Sequence, residues 1–496
     1  MKLSELFNGA EIASISARTD VEVSAVAYDS RKVAAESLFF ALKGEKEDGN
    51  KYIADALNRG AIAIASESPR NSSVNPDIAW IQILPDAQRR VLASASANFY
   101  RHPADALRLV GVTGTNGKTT TTHLIESVLR AAGMKTGLIG TISYRTPRGA
   151  RAAVNTTPES LDLQQMLAEI RDAGGSAAVM EASSHALAMD RLWGCHFAAA
   201  VFTNLTRDHL DYHKTFDEYF AAKRRLFEGT GAKPPEGAVI NSDDAYGRKL
   251  EGLAGLTFTY GLKNGAQITT KKFPLSFSGL DFTAQTPAGS IEVHSRLVGK
   301  INVYNILAAI GAGIALEIPI SAIAQGIHEL ESVPGRFQRI DEGQPFLVVV
   351  DYAHTDDALR NLISTARELN PSGRIITLFG AGGDRDRTKR PLMGEAAGTL
   401  GDIAVLTSDN PRSEDPLRII NDVLVGLQKT KAKYYVEAER GRAIEMALDE
   451  ARPGDIVLLA GKGHETNQVL RDGTIDFDDR EVARRALRTR GYTNKT

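Results

Sequence analysis

The sequence predicts a three-domain α/β protein whose centre is a parallel sheet carrying a phosphate-binding loop. Three observations carry that expectation. The chain has 496 residues, too many for one ordinary core; at about 150 residues per domain it fits roughly three. Short apolar runs alternate with helical patterns along most of its length, as in parallel sheets with crossover helices. A glycine-rich turn ending in Gly-Lys-Thr stands between one such run, LRLVGV, and an amphipathic helical pattern.

Composition narrows the class. A hydrophobic fraction of 43% and a charged fraction of 24% are ordinary for globular chains and exclude wholesale disorder or fibrous repeats. Lys+Arg 59 against Asp+Glu 61 gives a net charge of −2. That leaves no basic field for nucleic acid or an anionic membrane, so an anionic ligand must be met by local cations. The single cysteine, Cys195, excludes an internal disulfide and a Cys-rich metal site. MKLSELFNGAEIAS lacks a basic stretch followed by an apolar run and does not read as a signal peptide. The longest strongly apolar stretch, Ile306 to Leu316, contains two glycines, stops at Glu317 and is too short for a bilayer. The expectation is a cytoplasmic protein with neither a membrane nor a nucleic acid as partner.

Within residues 1–88 the runs VSAVAY, SLFFAL, AIAIAS and IAWIQI predict strands, with YIADALNRG as a helix closed by Gly60. An Ala-rich helical pattern between Pro85 and Pro103 leads into a second unit, residues 89–334. There LRLVGV, LIGTI, AAVM, AAAVFTN and AVIN predict strands, and Leu124, Ile125, Val128 and Leu129 share one face of a helix ending at Gly133. Residues 266–298 break the rhythm; FPLSFSGLDFTA and SIEVHSRLVG predict a short antiparallel insertion. After SVPGRF the rhythm restarts in residues 335–496, with strands at FLVVV, RIITLF, DIAVLT, KYYVE and DIVLLA. Four of these are followed by DYAH, GAGGDRD, SDNPR and GKGHE. Ligands of open α/β sheets collect at the carboxyl ends of strands, so four polar segments there predict one composite site.

The chemistry starts at GVTGTNGKTTTTH, Gly111–His123. Backbone N–H groups of such a loop and the helix N-terminus after it surround phosphate oxygens; Lys118 supplies a cation and Thr119 a hydroxyl for magnesium. Five residues separate Gly111 from Gly117, one more than the literal Walker pattern allows. The physical content survives: strand, small residues, Gly-Lys-Thr, helix.

TGTNGKTT resembles the ATP loop of the Mur ligases and their folylpolyglutamate synthetase relatives. NTTPES, MEASSHAL, TNLTRDHLDYH, YFAAKRRLF, NVYNILAAI, PGRF, DYAHT, GAGGDRDRTKRP, DNPR and GKGHE follow in the order of that family, so the resemblance runs from DSR at residue 29 to Glu465. It implies the three-domain Mur ligase architecture: a UDP-binding N-terminal domain, a central P-loop domain and a Rossmann-like, amino-acid-binding C-terminal domain. It also implies an ATP-dependent amide ligase of peptidoglycan precursor synthesis. A substrate carboxylate takes the γ-phosphoryl group of ATP, and the acyl phosphate is then attacked by an amine. Within the family, DNPR resembles members that add meso-2,6-diaminopimelate, rather than L-lysine, to UDP-N-acetylmuramoyl-L-alanyl-D-glutamate.

The roles follow from the same resemblance. Gly114, Thr115, Asn116, Gly117, Lys118, Thr119 and Thr120 form the ATP loop, and Asn302, Asn305, Arg336, Asp351 and His354 the adenosine-contacting and hinge region; helix capping is the alternative for the asparagines. Glu181 and His209 match magnesium ligands, with Thr119 nearby and Asp208 and His213 as neighbours. Read alone, Lys223 is a solvated lysine beside Arg224 and Arg225; its position in YFAAKRRLF resembles the family lysine that carries a CO2-derived carbamate. Ser30, Asn155, Thr156, Thr157, Ser183 and Arg191 match the nucleotide-sugar peptide site. Met189 stands where some relatives carry glutamine, so that contact is not carried over, and the stretch GEKEDG, residues 44–49, is assigned only as a loop near the uracil. For the amino acid the candidates are Arg390, Asp409, Asn410, Pro411, Arg412, Gly461 and Glu465. A guanidinium suits the far carboxylate of diaminopimelate, and an acidic group suits its free ammonium. Pro411 would stiffen the turn that holds Arg412.

Three other readings compete: the same ligase using L-lysine, a folylpolyglutamate synthetase, and a nucleotide-binding protein without turnover. NTTPES, ASSHAL and GKGHE favour the muramyl substrate over folate. Intact Lys118, Glu181, His209 and Lys223 favour turnover. A monomer whose last domain closes over ATP is the remaining expectation.

Overall fold

The computed structural model describes residues 1–16, 20–44, 47–263 and 265–493, without the Asp211 side chain. Glu45 and Lys46 of the expected uracil loop lie outside the described residues. Three large sheets follow one another along the chain, each with its own core.

The first sheet orders Ile12–Ser16, Ala79–Ile83, Ala61–Ser66, Ser37–Phe40 and Ala25–Ala27; the first pair is antiparallel and the rest parallel. All four expected runs contribute a strand. Ile12–Ser16 was not expected, because an edge strand with little burial leaves little apolar signal. The helix Gln88–Phe99 buries Val91, Leu92 and Ala95 against Leu38, Phe40 and Ile81. The boundary expected at residue 88 therefore cuts into this first unit, whose core continues through the helix.

The central sheet runs Leu256–Tyr260, Gly237–Asn241, Ala199–Phe202, Arg108–Thr113, Ala177–Glu181 and Thr136–Ile139, all parallel, and is extended by the antiparallel strands Ser143–Thr146 and Gly149–Ala152. Strand Arg108–Thr113 is buried on both faces beyond its first residue, as befits the middle of a parallel sheet covered by helices. Its carboxyl end runs through the glycine-rich turn into the helix Lys118–Ala131. Leu124, Ile125, Val128 and Leu129 of that helix are buried against Val303, Ile306, Leu307 and Ile310 of the helix Lys300–Ala315. Strands Leu275–Ser276, Gly279–Thr286 and Gly289–Ser295 form the expected antiparallel insertion.

The third sheet orders Gln338–Ile340, Leu347–Asp351, Ile456–Ala460, Ile375–Phe379, Ile403–Leu406 and Lys433–Val436; all neighbours but the first pair are parallel. A hairpin, Asn467–Leu470 with Gly473–Asp476, follows GKGHE. Among the described residues no helix is long and apolar enough to cross a membrane.

Candidate active site

The phosphate loop is fixed by close backbone packing. Gly114 has φ +144°, and a Cβ there would stand 1.9 Å from Thr203 Oγ1, so only glycine fits. Thr115 N donates to Asn204 O at 2.8 Å and Asn116 N to Asn204 Oδ1 at 2.9 Å, which bind the loop to the end of the adjacent strand. Lys118 is the first residue of its helix. Its Nζ folds back to donate to Gly114 O at 3.0 Å and Thr115 O at 2.8 Å, the posture of a cation that uses its own loop as acceptor.

Glu181 ends the neighbouring strand and is buried. Oε1 accepts from Thr119 Oγ1 at 3.0 Å and from Thr141 N at 2.9 Å, and Oε2 accepts from Thr141 Oγ1 at 3.0 Å. No ion pair neutralises this carboxylate among the described residues. A buried carboxylate beside a loop threonine, held by neutral donors only, is the kind of oxygen set that a magnesium ion completes together with phosphate oxygens. His209 sits in the left-handed region at φ +52°. Burial pushes its imidazole down to about 3, so the ring is neutral and able to act as a ligand. Its Nε2 lies 3.3 Å from Asp208 Oδ2. Among the described residues no three acidic, histidine or cysteine side chains form a ready metal cage.

Lys223 is not a solvated lysine: it is only 1% exposed. The helix Phe216–Glu228 is started by Thr215, whose hydroxyl accepts from Glu218 N at 3.1 Å. Its buried face carries Tyr219, Phe220, Leu226 and Phe227, and Lys223 lies three or four residues from each of them. The helical spacing alone therefore pointed this lysine inward. Nζ lies 4.4 Å from the Tyr219 ring centre and donates to Gly114 O at 2.7 Å, the same carbonyl that Lys118 uses. Burial, and then the charge of Lys118, drives the Lys223 amine well below the ordinary lysine value.

The third domain reaches into this cleft. Arg336 Nη2 donates to Thr119 Oγ1 at 3.1 Å, with its guanidinium 4.6 Å from the Tyr352 ring centre. Asp351 accepts from Phe337 N at 2.7 Å and Ala353 N at 2.8 Å, so it organises the hinge; burial raises its carboxyl. A Cβ on Gly335, φ +67°, would stand 2.1 Å from His464 N, which keeps PGRF against GKGHE. Asn302 Nδ2 donates to Val298 O at 2.7 Å and so holds the start of its own helix. Asn305 Nδ2 donates to Asn302 Oδ1 at 2.9 Å, and Asn305 Oδ1 accepts from Thr121 Oγ1 at 3.3 Å. Both asparagines line the cleft, as do Thr120, Thr156, Ser183 and His354.

Among the residues expected to meet the nucleotide sugar, Thr157 Oγ1 donates to Glu181 O at 2.6 Å, Arg191 Nη1 to Thr157 O at 2.9 Å, and Thr156 and Thr141 share a hydroxyl contact of 3.1 Å. Asn155 is held by backbone bonds to Tyr144. Ser183 caps the short helix behind it. Met189 Sδ lies 3.6 Å from Arg191 Nη2 and is a weak acceptor there. Ser30 is buried and its hydroxyl holds the Asp55 carboxyl below its ordinary value. The first domain docks on the second through contacts that no local motif announces: Arg89 pairs with Glu159, which also lies 3.5 Å from Arg191, and Tyr28 bonds to Asp162.

Of the residues expected to meet the amino acid, Arg390 is already paired within the protein. Arg390 is 0% exposed and is occupied by Glu414 at 2.7 Å, Asp422 at 2.9 Å and Gly382 O at 3.2 Å. It braces the domain and has no face left for a ligand. Arg385, on the same GGDRDRTKRP segment, is exposed, and its charge acts on Arg412; it is the better candidate, missed because one basic run offers several arginines. Arg412, at φ +53°, donates from its backbone to Val469 O at 3.1 Å and from Nη1 to Gly383 O at 2.7 Å. Asn410 Nδ2 donates to Glu465 Oε2 at 2.9 Å, and a Cβ on Gly461 would stand 2.7 Å from Asp409 Oδ2, so DNPR and GKGHE adjoin.

Known proteins resemble the whole chain. A model described as "Mur ligase family, catalytic domain" matches residues 22–107, "Mur ligase middle domain" residues 112–313, and "Mur ligase, glutamate ligase domain" residues 335–463. A UDP-N-acetylmuramoyl-L-alanyl-D-glutamate–2,6-diaminopimelate ligase of Solibacter usitatus is 56% identical over 95% of this chain and 94% of its own. A protein of the same name from Geobacter metallireducens is 44% identical over 98% of each. A solved structure of a ligase of that name, 34% identical, superposes with a TM-score of 0.67 over 99% of this chain and 100% of its own.

Proposed function

Because the chain belongs to the Mur ligase family, we infer that it is the ATP-dependent ligase that joins meso-2,6-diaminopimelate to UDP-N-acetylmuramoyl-L-alanyl-D-glutamate in peptidoglycan precursor synthesis. One observation carries the reading most directly: the central phosphate loop and Glu181 face third-domain residues across a single cleft, with the DNPR and GKGHE loops adjoining.

The reaction activates a carboxylate as an acyl phosphate and passes it to an amine while excluding water; positioning and charge neutralisation supply most of the catalysis. Lys118 leaves the carbonyls of its own loop to meet phosphate oxygens, and Arg336 adds a second cation from the hinge. Thr119 and Glu181 would hold magnesium, with neutral His209 as a further ligand, and the ion when bound neutralises phosphoryl oxygens as a Lewis acid. Arg191 and the Asn155–Thr157 loop hold the muramyl peptide, Arg412 and Arg385 the far carboxylate of diaminopimelate, and Glu465 its free ammonium. Action as a monomer is part of the same reading, and nucleotide-activated substrates fit a cytoplasmic setting. Phosphate release with the muramyl dipeptide nucleotide and ATP is expected with diaminopimelate and not with L-lysine; equal turnover of the two overturns the specificity.

Lys223 carries the CO2-derived carbamate in the working enzyme. Only a neutral amine captures CO2, and burial favours the neutral form of this one. Lys118 donates to the same buried carbonyl, so a positive charge on Lys223 is disfavoured there, whereas an anion on Lys223 would be attracted by Lys118. Lys223→Ala should lose at least about a hundredfold in kcat, the scale of one preorganised electrostatic contact, and regain part of it with added short carboxylic acids. Near-normal activity of the variant without acid rejects the modification.

A further inference from the structure

Beside Glu465 and the DNPR loop lies a buried cation, Lys462. Lys462, in the middle of GKGHE, has a fully buried side chain. Its three donors meet three acceptors: Glu465 Oε2 at 3.0 Å, Asn467 O at 2.5 Å and Asn410 Oδ1 at 3.4 Å. Asn410 Nδ2 donates to the same Glu465 Oε2 at 2.9 Å, and Asn410 Oδ1 also accepts from Val469 N at 2.9 Å. The DNPR loop is thereby sewn to the hairpin strand Asn467–Leu470, with Arg412 N donating to Val469 O at 3.1 Å and Gln468 Nε2 to Asp409 O at 2.5 Å.

Resting on the diaminopimelate reading, we propose that Lys462 is a positioning residue for amino-acid selection: it pins Glu465 Oε2 from beneath and leaves Oε1 to receive the far ammonium of diaminopimelate. Glu465 Oε1 accepts no hydrogen bond among the described residues, and the side chain is 25% exposed. The two oxygens thus divide the work, one for the protein and one for a ligand. A lysine is costly to bury, and an apolar side chain would fill the same space without that cost. What it adds here is a fixed charge under a carboxylate and a donor set that joins DNPR to GKGHE. Without it Glu465 would keep only the Asn410 contact on Oε2, and its charge would face the ligand without a counter-ion below.

The test compares meso-diaminopimelate with (S)-2-aminopimelate, which keeps the reacting amine and both carboxylates and lacks only the far ammonium. In Lys462→Met the Michaelis constant for diaminopimelate should rise at least tenfold, while those for ATP, for the nucleotide substrate and for aminopimelate change less than twofold. Preference for the diamino acid then collapses. Lys462→Gln, smaller and still able to donate, should give an intermediate loss and serves if the methionine variant does not fold. The loss should also be non-additive with Glu465→Gln. Parallel rises for both amino acids in either variant, or unchanged discrimination, overturn the proposal, since a merely structural lysine would treat the two alike. Absence of phosphate release from the unaltered chain with any diamino acid instead overturns the ligase reading, and this inference with it.

Discussion

Arg412 and Arg390 are both arginines of the third domain, and their surroundings give them opposite work. Arg412 is part-buried, strained at φ +53° and tied by one guanidinium nitrogen to Gly383 O, so the rest of its fork is available to a carboxylate. Arg390 spends its terminal nitrogens on Glu414, Asp422 and a carbonyl. Hydrogen bonds to charged groups contribute about 1.5–3 kcal/mol. Arg412→Ala should therefore raise the diaminopimelate Michaelis constant by roughly tenfold to a hundredfold, with that for ATP unchanged in steady-state kinetics. Arg390→Met should leave that constant within about threefold and lower unfolding stability by about 2–4 kcal/mol, because its removal strands two part-buried carboxylates. A reversed pattern would return Arg390 to the ligand. At this scale the sequence was legible for residue type and not for accessibility: a run of arginines does not reveal which one turns inward.

The elements of the third domain are joined by ion pairs that make their packing sensitive to acid. Arg390 lies on the helix Lys389–Leu400 and Asp422 on the helix Pro416–Leu427, while Arg374 and Asp455 sit at the starts of adjacent parallel strands. The Arg390 hydrogen bond holds Glu414 below the ordinary carboxylate range, and Arg390 and Arg387 together outweigh burial at Asp422; Arg374 does the same at Asp455. Depressed carboxylates contribute stability that is complete above their unfolded value of about 4 and is lost as pH falls through the folded values. Urea midpoints should be flat between about pH 5 and 7 and drop below about pH 4, less steeply in Arg390→Met. A midpoint unchanged at about pH 3 contradicts this account. The helices and parallel strands themselves were legible because burial of a face repeats with a fixed period. The edge strand Ile12–Ser16 and the hairpin after GKGHE, which bury only Gln468 fully, were not.

At the scale of the molecule, the third domain is latched to the phosphate loop. Asp357, at the start of the helix Asp356–Leu369, accepts from Asn116 Nδ2 at 2.7 Å and Thr206 Oγ1 at 3.0 Å. Arg207 Nη2 donates to Thr388 Oγ1 at 2.9 Å, and Arg336 crosses to Thr119. A latch of this kind would hold the third domain over the phosphate loop and keep water from an acyl phosphate. In Asp357→Ala the ligand-free protein should scatter as a larger particle than the unaltered chain and contract when ATP and the nucleotide substrate are added. Identical radii of gyration in all four states contradict the latch.

The sequence by itself determined the α/β order, the phosphate loop and the motifs DYAH, DNPR and GKGHE, because each is written in contiguous residues with a local physical meaning. Only the tertiary structure decided that Arg390 is a brace, that Lys462 lies beneath Glu465, and that the first core runs past residue 88. The reason is common to all three. Burial and pairing are set by partners distant in the chain, Glu414 for Arg390, Asn410 for Lys462 and Leu38 for Val91. A chain read in order shows which groups it carries but not which of them meet.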